Sequence, residues 1–273
     1  MANRIFVSHG VAIGVRTDDP ALLDRMTDCL PPGWEPAASP LAAAWFSLVR
    51  APDATGPRTR YRLSQDDDVL DEGFRLTPLL DSMDRAVRVQ VGRRSPERLF
   101  VHAGAVEWNG RCVVLPGRSG TGKTTLVSAL VRLGATYCSD EYAVLDAQGF
   151  VHPYARAMSF RQGTHRRVRR TAAVDSGGRD ATQPVPLGLV VHTRYRAEAD
   201  WTPRALTAGE SALACFANVL VARERPAFAF TVLARAVAGA VSLQADRGEA
   251  DAAAVAILAC VDHLHTSPGG PSA

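Results

Sequence analysis

The sequence predicts an α/β protein with a mixed sheet, preceded by a small N-terminal α+β region, and three observations predict it. Apolar residues alternate in some segments and recur at helical spacing in others, so strands and helices are interleaved. Two apolar segments, Leu99 to Trp108 and Arg111 to Leu115, flank Asn109-Gly110, the two-residue signal of a type I′ hairpin. The second of these segments runs directly into Gly117-Arg118-Ser119-Gly120-Thr121-Gly122-Lys123-Thr124, after which Leu126, Leu130 and Leu133 mark an amphipathic helix. A hairpin puts an antiparallel neighbour beside the strand that enters the glycine loop, and this makes the sheet mixed.

Along the chain, residues 4–15 read as a strand or strand pair. A helix then runs from Pro20 to about Leu30, capped by Asp19 and stopped by Pro31-Pro32-Gly33. Residues 44–49 and 59–63 read as strands, and Asp66-Asp67-Asp68 as a solvated turn after them. A helix over 77–92 carries Leu79, Leu80, Met83, Ala86, Val87 and Val91. The break at Gly92-Arg93-Arg94-Ser95-Pro96 sets the domain boundary: 1–95 a small α+β region, 96–265 the main domain, 266–273 a disordered tail. Beyond the glycine loop, Lys123 to Leu133 is a helix ended by Gly134, and 135–138 and 142–145 are strands. Asp146 to Gly149 is a turn, 187–194 a strand, and Thr207-x-x-Glu210 a capping box opening a helix through Val221 with Leu213, Phe216 and Leu220 inward. A last helix spans about 249–264. No internal repeat is present.

Composition narrows the function. With 273 residues, 47% hydrophobic and 22% charged, the chain has the profile of a folded soluble protein. Its net charge of +3 excludes recruitment of nucleic acid or a membrane surface by long-range electrostatics. Five scattered cysteines with no C-x-x-C pair argue against a disulfide framework and a zinc site, and for free thiols in a reducing compartment. There is no signal-peptide pattern and no apolar run of membrane-spanning length, so the expected location is the cytoplasm.

The glycine spacing carries chemistry. Glycines let consecutive backbone N–H groups face one concavity, where they and the adjoining helix N-terminus cradle phosphate oxygens. Lys123 supplies a point charge for the outer phosphates, Thr124 a hydroxyl for Mg²⁺, and Thr125 a hydrogen bond to the inner phosphate, so ATP and Mg²⁺ are the expected cofactors. Asp140-Glu141 comes after a short strand that returns to the loop, where one carboxylate can serve a metal and the other accept a proton; a plain surface turn is the competing account. His102 shares a strand face with Gly104 and Val106, and reaches the phosphate site only if that face turns toward it, a hydrogen-bonded core histidine being the alternative. Arg156, Arg161, Arg166, Arg167, Arg169 and Arg170, with His165, form an acid-free stretch that can steer an anionic group or remain a solvated loop; Arg161 is the first choice for a contact.

Leu99-Phe-Val-His102-Ala-Gly-Ala, the hairpin, Gly117 to Thr124, and Ser139-Asp140-Glu141-Tyr-Ala-Val144 together resemble the catalytic domain of HPr kinase/phosphorylase. The family order is a histidine-glycine strand, a hairpin, a G-x-S-G-x-G-K-S loop, a helix and an Asp-Asp-x-Val segment. The likeness covers about 99–160, extends to about 260, and leaves out 1–95. It implies a phosphoenolpyruvate carboxykinase-like P-loop fold in which Lys123 binds phosphates, Thr124 and Glu141 serve Mg²⁺, Asp140 is the base on a serine hydroxyl, and His102 is the active-site histidine. Thr124 stands for serine and Glu141 for aspartate, which keeps hydroxyl and carboxylate chemistry. In organisation the chain looks most like the stand-alone members, such as lasso-peptide tailoring kinases. The expected acceptor is therefore a serine of a peptide or small protein. Free serine or a similar metabolite, or a nucleotide-gated module with weak ATPase activity, are the alternatives, and homo-oligomerisation is left open.

Overall fold

The computed structural model describes residues 1–51, 59–118, 120–162, 167–173, 175 and 177–266. The chain divides into two compact units, Met1–Glu97 and Arg98–Ala273, and each is built on a mixed sheet, so the fold class is α/β.

In the first unit, β1 (Ala2–Ser8) and β2 (Val11–Thr17) form a hairpin whose turn residues His9 and Gly10 both take positive φ. Asp19 caps α1 (Pro20–Thr27) by accepting the Ala21 N–H at 3.1 Å, and proline at the first helical position supplies its fixed φ. Then come β3 (Glu35–Pro36), β4 (Ala44–Arg50), β5 (Tyr61–Gln65) and β6 (Asp68–Gly73), in the order β3-β1-β2-β4-β5-β6. Among the described residues of this sheet, only the β2–β4 pairing is parallel. The helix α2 (Leu76–Arg94) buries Leu79, Met83, Val87 and Val91, while Phe6, Ile13, Phe46, Leu48 and Leu63 fill the sheet side of the core. Each such side chain contributes about 1.5–3 kcal/mol. Asp66 holds the expected turn, with positive φ and its carboxylate accepting the Trp45 N–H at 2.8 Å, but Asp68 already belongs to β6. That strand lies at the sheet edge with polar and partly exposed residues, and so lacks the alternation by which strands are read.

The second unit begins with β7 (Leu99–Trp108) and β8 (Arg111–Pro116), joined by Asn109-Gly110 with both residues at positive φ, as a type I′ turn requires. Next are α3 (Lys123–Arg132), β9 (Thr136–Ser139), β10 (Tyr142–Leu145), β11 (Phe150–His152), β12 (Met158–Gln162) and β13 (Arg167–Thr171). After them come β14 (Val185–Tyr195), β15 (Arg204–Ala205), α4 (Ala208–Phe216), α5 (Pro226–Ala238), β16 (Val241–Arg247) and α6 (Ala250–Thr266). The sheet runs β11-β10-β7-β8-β14-β16-β15, with β9 also on β7. Strand β8 is antiparallel to β7 and parallel to β14, and β14 is parallel to β16.

Helices cover both faces of this sheet. One core joins Val106, Val113, Leu115 and Val191 to Val127 of α3 and Ile257 of α6; the other joins Ala105, Val114 and Val190 to Cys215 of α4 and Leu233 of α5. The capping box is complete, but α4 stops at Phe216 instead of continuing to Val221. Its inward face is Ser211, Ala212 and Cys215, with the expected Phe216 partly buried against the same core and the expected Leu213 63% exposed. Elements α5 and β16 fill a stretch in which the sequence pattern marks no element. The basic stretch contains the two-stranded β12–β13 hairpin, where a solvated loop was one expectation. The helix α6 continues through Thr266, and residues 267–273, expected to be disordered, lie outside the described residues. No described helix is long and apolar enough to cross a membrane.

Candidate functional site

The loop between β8 and α3 is shaped by its own backbone. Gly120 and Gly122 take positive φ, 88° and 81°, a region that side chains rarely enter. A Cβ at Gly117 would sit 3.0 Å from the Thr121 hydroxyl, so a larger residue there would have to push that side chain aside. Thr121 donates its hydroxyl to the Arg118 carbonyl at 2.9 Å, and Lys123, almost fully buried, folds its ammonium back onto the same carbonyl at 2.8 Å. Gly122 caps α3 with no side-chain hydrogen bond, and a helix N-terminus of this kind favours an anion. Arg118 and Thr125 are exposed at the rim, and Ser119 lies outside the described residues.

Strand β9 brings the acidic pair to this loop. The Asp140 carboxylate accepts the Thr124 hydroxyl at 2.9 Å on one oxygen and the Tyr137 phenol at 2.9 Å on the other. The backbone N–H of Ser159, on β12, reaches the first oxygen at 3.3 Å. Donors from α3, β9 and β12 thus orient one carboxylate. Burial, reinforced by the neighbouring Asp140 charge, pushes the Tyr137 phenol well up, so it remains a donor. Glu141 is half-buried; its backbone carbonyl accepts both the Ala103 N–H at 3.1 Å and the His102 Nδ1 at 2.9 Å.

A carbonyl can only accept, so the His102 proton sits on Nδ1. A Cβ built at Gly104 would lie 2.5 Å from Val127 Cγ2, and Val106 packs in the α3 core. The strand face shared by His102, Gly104 and Val106 is therefore the face on which the phosphate-loop helix lies. His102 also fixes the start of the loop, its carbonyl accepting the Gly117 N–H at 3.1 Å.

Two contributors were not among the residues singled out in the sequence. Tyr137 could have been found as a polar aromatic on the strand leading to Asp140. Arg247 could not, because its position depends on β16. It is 3% exposed, and its Nη2 donates to the carbonyls of Gly122 at 3.2 Å and Thr121 at 3.5 Å. The guanidinium thus engages carbonyls of the phosphate loop itself. Burial pulls this guanidinium below its ordinary value, and among the described residues its Nε finds no hydrogen-bond partner. Arg161 pairs with Val168 across the β12–β13 hairpin, but its side chain, like residues His165 and Arg166, lies outside the described part of the chain.

Among the described residues, no three His, Cys, Asp or Glu side chains converge as a metal-holding group. Mg²⁺ is commonly held by one or two carboxylates together with substrate phosphates, so Thr124 beside Asp140 fits that donor requirement without a protein-only cage, while Glu141 is placed by contacts of its backbone. The uncapped α3 N-terminus and the buried Lys123 likewise fit a polyphosphate. Compared with known proteins, the chain matches no protein-family model and no curated protein.

Proposed function

We propose that the chain is an ATP- and Mg²⁺-dependent kinase that phosphorylates a serine hydroxyl of a peptide or small protein. The observation that carries this reading is the 2.9 Å hydrogen bond from Thr124 to Asp140, which joins the hydroxyl at the end of the glycine loop to an oriented carboxylate. In this reading Lys123 and the first-turn N–H groups of α3 bind the phosphates, and Thr124 with Glu141 holds the metal. Bound MgATP supplies the γ-phosphoryl group. Asp140 takes the proton from the acceptor hydroxyl as its oxygen attacks, and the Tyr137 donor keeps the carboxylate aimed. His102, locked by the Glu141 carbonyl on the α3 face, positions the polar wall of the site. The resemblance to HPr kinase/phosphorylase supports the same roles, and the P-loop kinase fold of that family is part of this proposal.

The test is transfer of labelled γ-phosphate from ATP with Mg²⁺, offered serine-containing peptides, free serine, or neither. Label on peptide supports the proposal. Label confined to free serine makes the chain a small-molecule kinase, and release to water alone makes it a weak ATPase; either result overturns the peptide-kinase reading.

A further inference from the structure

The phosphate loop sits where the sheet changes character, since β8 has an antiparallel neighbour, β7, on one side and a parallel neighbour, β14, on the other. Asp140 and Thr124 mark the first side, the side of β7 and β9. On the second side, the carboxyl ends of β14 and β16 point the same way as that of β8. Ligands of α/β sheets bind in the crevice outside the carboxyl ends of parallel strands. A nucleotide whose terminal phosphate meets Asp140 sends its nucleoside toward β14 and β16.

The last residue of β14 is Tyr195, paired in register with Arg247, the last residue of β16. Register partners share a sheet face, and Arg247 already contacts Thr121 and Gly122 of the loop, so Tyr195 stands on the loop side of the sheet. Its ring is backed by the Arg247 guanidinium, with Cζ 5.5 Å from the ring centroid. Its hydroxyl is tied to the Glu249 carboxylate at 2.9 Å, at the start of α6. Yet the residue is 48% exposed. An aromatic side chain fixed at its tip and supported by a cation, but left half open beside a phosphate site, is arranged to receive a flat partner.

We propose that Tyr195 is the stacking platform for the base of the nucleotide whose phosphates occupy the Gly117–Thr124 loop. This rests on the reading of that loop as a nucleotide site. Glu249 and Arg247 are positioning residues, one holding the ring edge and the other joining the ring to the loop backbone. Stacking on a π-face is tolerant of base identity. The platform therefore adds affinity for nucleoside triphosphates over inorganic polyphosphate, and discriminates weakly among purines.

The experiment is calorimetric binding of ATP and of inorganic tripolyphosphate, each with Mg²⁺, to the full chain and to Tyr195→Leu and Tyr195→Phe. The wild type is expected to prefer ATP, Tyr195→Leu to lose about tenfold in ATP affinity with tripolyphosphate unchanged, and Tyr195→Phe, which keeps the π-face but loses the Glu249 tether, to lie between the two. Equal wild-type affinity for both ligands overturns the platform while leaving the phosphate site intact, and this comparison needs no variant to fold. A Tyr195→Leu protein that binds ATP as well as wild type, or weakens equally for both ligands, also overturns it. Failure of the wild type to bind either ligand instead removes the nucleotide reading, and the platform with it.

Discussion

Replacing Asp140 by asparagine separates the chemistry of the site from its architecture. The carboxylate accepts three hydrogen bonds, from Tyr137 and Thr124 at 2.9 Å each and from the Ser159 N–H at 3.3 Å. An asparagine of the same shape keeps its oxygen toward the Tyr137 phenol and turns its amide toward the Thr124 oxygen, which can accept. The Ser159 N–H and the Thr124 hydroxyl proton then lose their acceptor, and water can take both, since the Ser159 contact is long and exposed and Thr124 is only half-buried. The stability change should stay within about 1 kcal/mol, the net worth of one ordinary hydrogen bond. Phosphoryl transfer should fall about 10²- to 10⁴-fold, because an amide cannot take the acceptor proton. The assay pairs initial rates of labelled γ-phosphate transfer with urea unfolding and calorimetric ATP binding on the same preparations. A variant that unfolds and binds ATP like the wild type but transfers within about tenfold of it would refute Asp140 as the base, since that lies below the usual range for a lost general base.

Three further outcomes are expected. Lys123→Met keeps the buried stem but loses the ammonium, so the protein should fold while its affinity for both ATP and tripolyphosphate drops at least about tenfold by calorimetry. Gly104→Ala forces a methyl to 2.5 Å from Val127 Cγ2, and overpacking should lower stability by about 1–3 kcal/mol, read as a reduced urea midpoint. Asp146 is opposed by burial, but the His152 imidazole at 2.7 Å and the N–H groups of Phe150 and Gln148 outweigh it and hold the carboxyl below its ordinary value. A depressed folded value means stability that is present above the unfolded value and lost as pH falls through the folded one. Asp146→Asn should therefore be less stable than wild type at neutral pH, and the gap should close below about pH 4 in pH-dependent unfolding curves.

The parts of the fold written in adjacent residues were legible in the sequence. Asn109-Gly110 announces the β7–β8 hairpin because both residues must take positive φ, and Asp19-Pro20 announces α1 because cap and first turn are contiguous. Thr207 and Glu210 mark the start of α4, but nothing so local marks its end, and of the expected inward residues Phe216 packs on the core while Leu213 faces outward. Strand β16 was illegible for a different reason. Its short alternation of Val241, Leu243 and Ala245 acquires meaning only through pairing with β14 and β15, which are distant in sequence. The site divided in the same way. The glycine loop could be read from spacing, and the approach of Asp140 to it from its place after a short strand. The hydrogen bond between Asp140 and Thr124, the phenol of Tyr137 behind it, and the Arg247 guanidinium under the loop all depend on strands being brought together.

The two neighbours of β8 also differ in what it takes to acquire them. Pairing with β7 closes a loop of two residues, with a turn whose twist matches the strands, whereas pairing with β14 encloses α3 and five further strands. The strand that aims the glycine loop is thus registered on one edge at small entropic cost. Its long-range parallel partner is added to an edge whose alternation is already set, and a one-residue slip on that side would turn the core-facing residues of β14 to the wrong face.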